Sequence, residues 1–148
     1  MLNEILELFR RLVEQSGSDL ILRAGHRPVA RIDGRIVPLS ENVLSDEHLT
    51  ALTDHLLDGP GRERFANRHE ADLAAVFPGI GRFRCNLLQQ RGRVASVFRH
   101  VQETVPTMDA LHLPSDVLKR LALLRRGMVL VTGIAGSGKS TTLATMID

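Results

Sequence analysis

Leu2, Ile5, Leu6, Phe9, Leu12 and Val13 recur at the spacing of one helical face, with Glu4, Glu7 and Arg10 on the other. The spacing predicts an amphipathic helix over residues 1–15 that stops at Ser16-Gly17, with Gly17 as its C-terminal stop. The mixed signs on its polar face argue for a packing helix over one lying on a membrane surface. After Gly17 the period shortens. Ser18 to Leu22 reads as a strand, and Pro28 to Ile32 and Arg35 to Leu39 as two more. Asp33-Gly34 between the last two is a two-residue hairpin signal. Ser45 to His48 opens a helix running through Leu57, with Ser45 as its cap and His48 where a capping box carries Glu. Gly59-Pro60-Gly61 breaks it, and a further short helix runs to about Arg68.

A meander of three strands follows: Ala71 to Phe77, Arg82 to Gln90 and Arg93 to Val101. Pro78 to Gly81 and Arg91-Gly92 stand where the turns belong. Alternation puts Arg82, Arg84, Asn86 and Leu88 on one face of the middle strand, and Phe83, Cys85 and Leu87 on the other. Arg93, Ala95, Val97 and Arg99 share a face of the next strand. These arginines fit ordinary solvated strand positions and, equally, multidentate phosphate contacts. Cys85 reads as a small buried hydrophobe, because nothing in the sequence places a base beside it.

Val105-Pro106-Thr107 marks a linker, which sets the expected domains at 1–101 and 115–148 with residues 102–114 between them. Thr107 can cap a short turn through Leu111. Pro114-Ser115-Asp116 starts a helix carrying Val117, Leu118, Leu121 and Leu124, ended by Arg125-Arg126-Gly127. Met128 to Thr132 is an apolar, β-branched run that predicts a buried strand. Gly133 to Ser140 then reads G-x-x-x-x-G-K-S, and the residues after it are helix formers with Leu143 and Ile147 four apart. Strand, glycine-rich loop and helix opening together are the setting of a phosphate-binding P-loop. Glycines at 133, 136 and 138 let the backbone bring its N–H groups close to phosphate oxygens. The helix N-terminus adds orphan donors and a positive dipole end. Lys139 would reach the β- and γ-phosphates of ATP, and the Ser140 hydroxyl would ligate Mg²⁺.

Composition narrows the class. Of 148 residues, 43% are hydrophobic and 24% charged, as in ordinary globular proteins. No apolar run is long enough to span a membrane, and the N-terminal segment lacks the order of a signal peptide, so direct membrane insertion is not expected and the cytoplasm is. One cysteine excludes an internal disulfide framework. The formal charge of +2 is scattered, and the only aromatics are five Phe, which argues against a nucleic-acid partner. The six His do not fall at metal-ligand spacings.

The whole chain resembles the N-terminal part of the type IV pilus retraction ATPases, the PilT/PilU family of secretion-type motors. The matching features are S-D-L-I-L at 18–22, R-I-D-G at 31–34, G-I-G-R-F-R-C-N at 79–86, Q-Q-R-G at 89–92 and V-F-R at 97–99. V-P-T-M-D-A-L at 105–111 and R-R-G-M-V-L-V-T-G-x-x-G-S-G-K-S-T-T-L-A at 125–144 complete the series. The run P-T-M-D-A-L-x-L-P looks somewhat closer to the PilU branch. The resemblance implies an α/β protein: a PAS-like α+β N-terminal domain, then the start of a RecA-like P-loop ATPase core, here truncated. It implies a homo-hexamer, or assembly with related pilus ATPase subunits, working on an inner-membrane pilus platform protein from the cytoplasmic side, peripherally at that membrane. Cofactor-binding positions are then Gly133, Ile134, Ala135, Gly136, Ser137, Gly138, Lys139, Ser140, Thr141 and Arg82, with Lys139, Arg84 and Arg99 as the catalytic set. Where the family has Pro-Thr, this chain has Ile134-Ala135, at free positions of the loop. The acidic Walker B strand, the upstream acidic box and the His-containing box are not among the residues present. The expectation is therefore a front portion of a motor that binds nucleotide poorly and hydrolyses it hardly at all. The alternative is a non-enzymatic interaction module that docks on full-length subunits.

Overall fold

The computed structural model describes residues 1–102, 104–134 and 137–147 and divides into two compact units, Met1–Gln102 and Glu103–Asp148. In the first unit, helix α1 (Leu2–Glu14) buries Ile5, Leu8, Phe9 and Leu12, the stripe that the helical period selects. Its end differs from the expectation. Ser16, not Gly17, takes the left-handed conformation (φ 53°), Ser16 N–H donates to Val13 O, and Gly17 N–H donates to Leu12 O. That bond pair is a Schellman stop. Gly17 is needed for space instead: a Cβ there would lie 2.6 Å from Leu12 Cδ1.

Six strands form one antiparallel sheet: β1 (Asp19–Arg23), β2 (Val29–Ile32), β3 (Arg35–Pro38), β4 (Glu70–Phe77), β5 (Gly81–Gln90) and β6 (Arg93–Val101). Their order across the sheet is β3-β2-β1-β6-β5-β4. The turns follow from local chemistry. Asp33-Gly34 and Arg91-Gly92 each hold two successive positive φ angles, the type I′ hairpin whose twist matches its strands. Pro78 and Gly79 build a type II turn closed by Ile80 N–H on Phe77 O at 2.9 Å.

Two more helices, α2 (Asp46–Leu56) and α3 (Gly59–Arg68), complete the unit. Ser45 caps α2, and His48 performs the capping-box role: its Nδ1 accepts from Ser45 N–H while Ser45 Oγ accepts from His48 N–H. His48 Nε2 also meets Glu4 at 3.1 Å, tying α2 to α1. The helices add Leu49, Leu52 and Phe65 to a core that takes Leu20, Leu22, Phe77, Phe83, Cys85, Leu87 and Phe98 from one sheet face. An antiparallel sheet covered on one face leaves the other to polar side chains. This is the α/β class expected.

The described residues of the second unit form two helices, α4 (Ser115–Ala122) and α5 (Lys139–Ile147). Leu124 lies beyond the end of α4, which stops at Ala122 with Leu123 as its cap, earlier than Arg125-Arg126-Gly127 suggests. The expected strand over 128–132 is not formed, and Met128 and Leu130 are 83% and 76% exposed. A strand is held by neighbours that take its N–H and C=O groups, and the described residues of this unit supply none. Met128, Val129 and Leu143 instead border a groove of about 330 Å³ between the ends of α4 and α5.

Candidate functional site

The described residues of the loop before α5 bring Ile134, Ser137 and Lys139 together. Gly133 has φ 154°, strained for any residue with a Cβ, and a Cβ there would stand 2.7 Å from Ser137 Oγ and displace that hydroxyl. Ser137 Oγ donates to Ile134 O at 2.8 Å and Lys139 Nζ donates to the same oxygen at 2.5 Å. The ammonium is folded across its own loop. Gly138 (φ 86°) starts α5, its carbonyl accepting from Thr142 N–H at 2.8 Å and from Thr142 Oγ1 at 3.0 Å. In such a first turn the N–H groups of Lys139, Ser140 and Thr141 have no acceptor within the helix, which makes them donors toward an anion. Gly133, Ile134, Ser137, Gly138, Lys139, Ser140 and Thr141 thus lie together in this unit. Ala135 and Gly136 fall outside the described residues. The residues fit a nucleotide phosphate by the crowding at Gly133 and by the charge of Lys139. No group of three or more His, Cys, Asp or Glu that could hold a metal ion occurs among the described residues.

The arginine set belongs to the first unit. The expected split of β5 is present: Phe83, Cys85 and Leu87 are fully buried, and Arg82 and Arg84 are exposed on the uncovered sheet face. Register then builds a row across that face. Arg84 pairs with Arg99, Arg99 with Asp19, and Asp19 with Arg31. Arg99 Nε donates to Asp19 Oδ1 at 3.0 Å, Arg31 Nε stands 3.3 Å from Asp19 Oδ2, and Ser18 Oγ donates to Oδ2 at 2.8 Å. Burial pushes the Asp19 carboxyl upward, but Ser18, Arg99 and Arg31 outweigh it and hold the group below its ordinary value. Among the described residues Arg82 and Arg84 form no ion pair. Arg84, Arg99, Asp19, Asp72, Asn86 and Val97 line a shallow depression of about 380 Å³.

Asp19 is the residue that sequence reasoning missed. Its alternation with Ile21 and Arg23 places it on the polar face, yet its arginine partner lies 80 positions away, across a pairing of β1 with β6 that no local signal announces. Cys85 is the buried hydrophobe expected, its thiol pushed up to about 12 by burial first and by the charge of Asp72 second.

No family model matches the chain. The chain is 40% identical over 144 residues to the type IV pilus ATPase PilU of Pseudomonas aeruginosa, covering 97% of itself and 37% of that protein. It is 39% identical over 145 residues to the type IV pilus retraction ATPase PilT of the same organism, covering 98% of itself and 42% of that relative. A crystal structure of the pilus retraction motor PilT with bound ADP superposes with a TM-score of 0.75 at 36% identity, over 97% of this chain and 42% of that one. The chain therefore spans about two fifths of the length of the relatives it matches. Over that span, in sequence and in fold, it is homologous to the PilT/PilU pilus ATPases.

Proposed function

We propose that this chain is the N-terminal portion of an ATPase subunit that drives type IV pilus retraction and twitching motility, converting ATP and water to ADP and phosphate. The observation that carries the reading is the loop at α5, where a Cβ at Gly133 would crowd Ser137 Oγ and Lys139 folds onto Ile134 O. When ATP arrives, Lys139 exchanges that carbonyl for β- and γ-phosphate oxygens, a stronger charge-assisted partner. Backbone N–H groups at the start of α5, those of Lys139, Ser140 and Thr141, face the phosphates. The Ser140 hydroxyl would hold Mg²⁺, which would supply neutralisation of phosphate charge. In the first unit Arg82, Arg84 and Arg99 are the side chains suited to phosphate contact, being cations on its uncovered sheet face. The working assembly is a hexamer of such subunits, or of this chain with related ones, acting on the pilus platform protein at the cytoplasmic side of the inner membrane. No helix among the described residues is long and apolar enough to cross a membrane.

A second reading is favoured by one specific contrast. The first unit encloses its own core, while the second buries little and exposes Leu123, Leu124, Met128, Leu130 and Ile134. On that reading the chain is an interaction module that docks on full-length pilus ATPase subunits without turnover.

The test is Mg-ATP binding by the purified chain beside Lys139→Ala, with phosphate release followed in the same samples. Binding that the substitution abolishes supports a working phosphate cradle. No binding by the unsubstituted chain, with capture by a full-length motor, replaces the first reading by the second.

A further inference from the structure

The row Arg84–Arg99–Asp19–Arg31 is asymmetric, and the asymmetry has a chemical consequence. Asp19 is 6% exposed and fully engaged: Oδ1 accepts Arg99 Nε, and Oδ2 accepts Ser18 Oγ and faces Arg31 Nε. Arg31 is anchored again through Nη1, which donates to Gly34 O at 3.2 Å. Among the described residues Arg99 is held through Nε alone, which leaves its two terminal nitrogens without a protein partner; its cross-strand neighbour on β5 is Arg84, and both line the same shallow depression. Two arginines directly opposite each other repel, and an anion between them removes that cost. An arginine held at Nε loses less rotamer freedom on gripping that anion than an unheld one.

We infer that Asp19 is a positioning residue, which fixes the Arg99 guanidinium so that its terminal nitrogens and Arg84 together grip a polyphosphate anion. The inference rests on the reading that these arginines meet phosphate, and it adds the residue that sets their geometry.

Electrostatics and positioning make opposite predictions for Asp19→Asn, which decides between them. Removing a negative charge beside an anion site tightens anion binding if charge is all that matters. If Asp19 positions Arg99, binding weakens although the face has become more positive. The experiment uses the 148-residue chain carrying Lys139→Ala, so that the loop at α5 does not take up the probe, labelled with ¹⁵N. Inorganic tripolyphosphate is titrated in while arginine Nε–H signals are followed.

Without probe, the Arg99 Nε–H signal is expected to be sharp and slow to exchange, and Asp19→Asn is expected to broaden it while Arg84 is unchanged. With probe, Arg84 and Arg99 shift together, and Asp19→Asn weakens binding about tenfold. Tighter binding in Asp19→Asn, or an Arg99 signal indifferent to the substitution, overturns the inference. An ordered Arg99 that depends on Asp19 but shows no response to tripolyphosphate keeps the clamp and sinks the phosphate reading. Should Asp19→Asn fail to fold, acid titration of the chain with Asp19 intact serves instead. The Arg99 signal must then lose its order as Asp19 protonates, while the β5 backbone signals still report a folded sheet; persistence of that order overturns the clamp.

Discussion

The Phe9 ring meets the Phe98 ring edge-on, 84° apart in plane and 4.7 Å between centroids, and so joins α1 to the middle of the sheet. The same ring lies 4.5 Å from Phe77 and 4.9 Å from Phe83. Four of the five Phe residues therefore form one cluster, with Phe9 the member supplied by the helix. Phe9→Ala removes a fully buried ring and three aromatic contacts, and is expected to cost about 3–5 kcal/mol. Urea unfolding should show a lower midpoint at an unchanged slope. A loss below about 1 kcal/mol would mean that α1 is not docked through this ring.

Ser96 presents the opposite case. It lies on the core face of β6 between Leu22 and Leu87, fully buried, and its Oγ has no hydrogen-bond partner among the described residues. An unmade hydrogen bond in an apolar core costs more than the hydroxyl returns. Ser96→Ala is expected to raise stability by about 1 kcal/mol, read as a higher melting temperature. An unchanged or lower melting temperature would show that the hydroxyl has found an acceptor.

Much of this was legible from the sequence, and what was not has physical reasons. The faces of β5 could be read because period-two alternation is a local property, and Phe83, Cys85 and Leu87 need no partner to be recognised as inward. The capping role of His48 was half legible: its position is right for a box, but only the fold brings Glu4 to its other nitrogen. The sequence offers Gly17 as the helix stop, whereas the chain uses Ser16 for that turn and Gly17 to clear Leu12. The run 128–132 carries the composition of a buried strand, yet composition supplies no neighbouring strand to pair with. The Asp19 clamp depends on β1 pairing with β6, a contact between distant segments that periodicity does not encode.

Cys85 is expected to be inert in the folded chain. The thiolate is the reactive form, and with the thiol pushed up to about 12 roughly one molecule in ten thousand carries it at pH 8. Burial behind the sheet closes access as well. A chromogenic disulfide reagent should titrate no thiol in the native protein and one equivalent in urea. Rapid reaction without denaturant would show that the sheet opens locally around β5.

Asp19 also gives stability a pH dependence whose sign follows from its shift. Its carboxyl is held below the ordinary 3.8, so the folded state favours the ionised form. The stabilisation is complete above the unfolded-state value and is lost as pH falls from there through the lower folded-state value. Asp19→Asn should therefore be less stable at neutral pH and show a shallower decline in melting temperature below about pH 4. Glu4 is lowered too, by hydrogen bonds to the N-terminal ammonium and to His48, so Glu4→Gln is the control for the residual slope. An acid limb as steep in Asp19→Asn as in the parent chain would remove Asp19 from the account.

Gly133 offers the sharpest test of the loop. Its positive φ is strained for any residue with a Cβ, and that Cβ would meet Ser137 Oγ at 2.7 Å. A serine hydroxyl can rotate away, but Ser137 would then give up its bond to Ile134 O, the oxygen that also holds Lys139. Gly133→Ala is expected to weaken ATP binding by about tenfold or more, with the melting of the first unit unchanged. Gly59→Ala, where an added Cβ meets nothing and φ is ordinary, should bind like the parent chain. The double substitution Gly133→Ala with Ser137→Ala separates strain from crowding. It clears the clash yet keeps the strained φ, so affinity should recover only in part. Full recovery would assign the effect to the hydroxyl alone, and parent-like binding by Gly133→Ala would mean that the loop does not hold phosphate in this conformation.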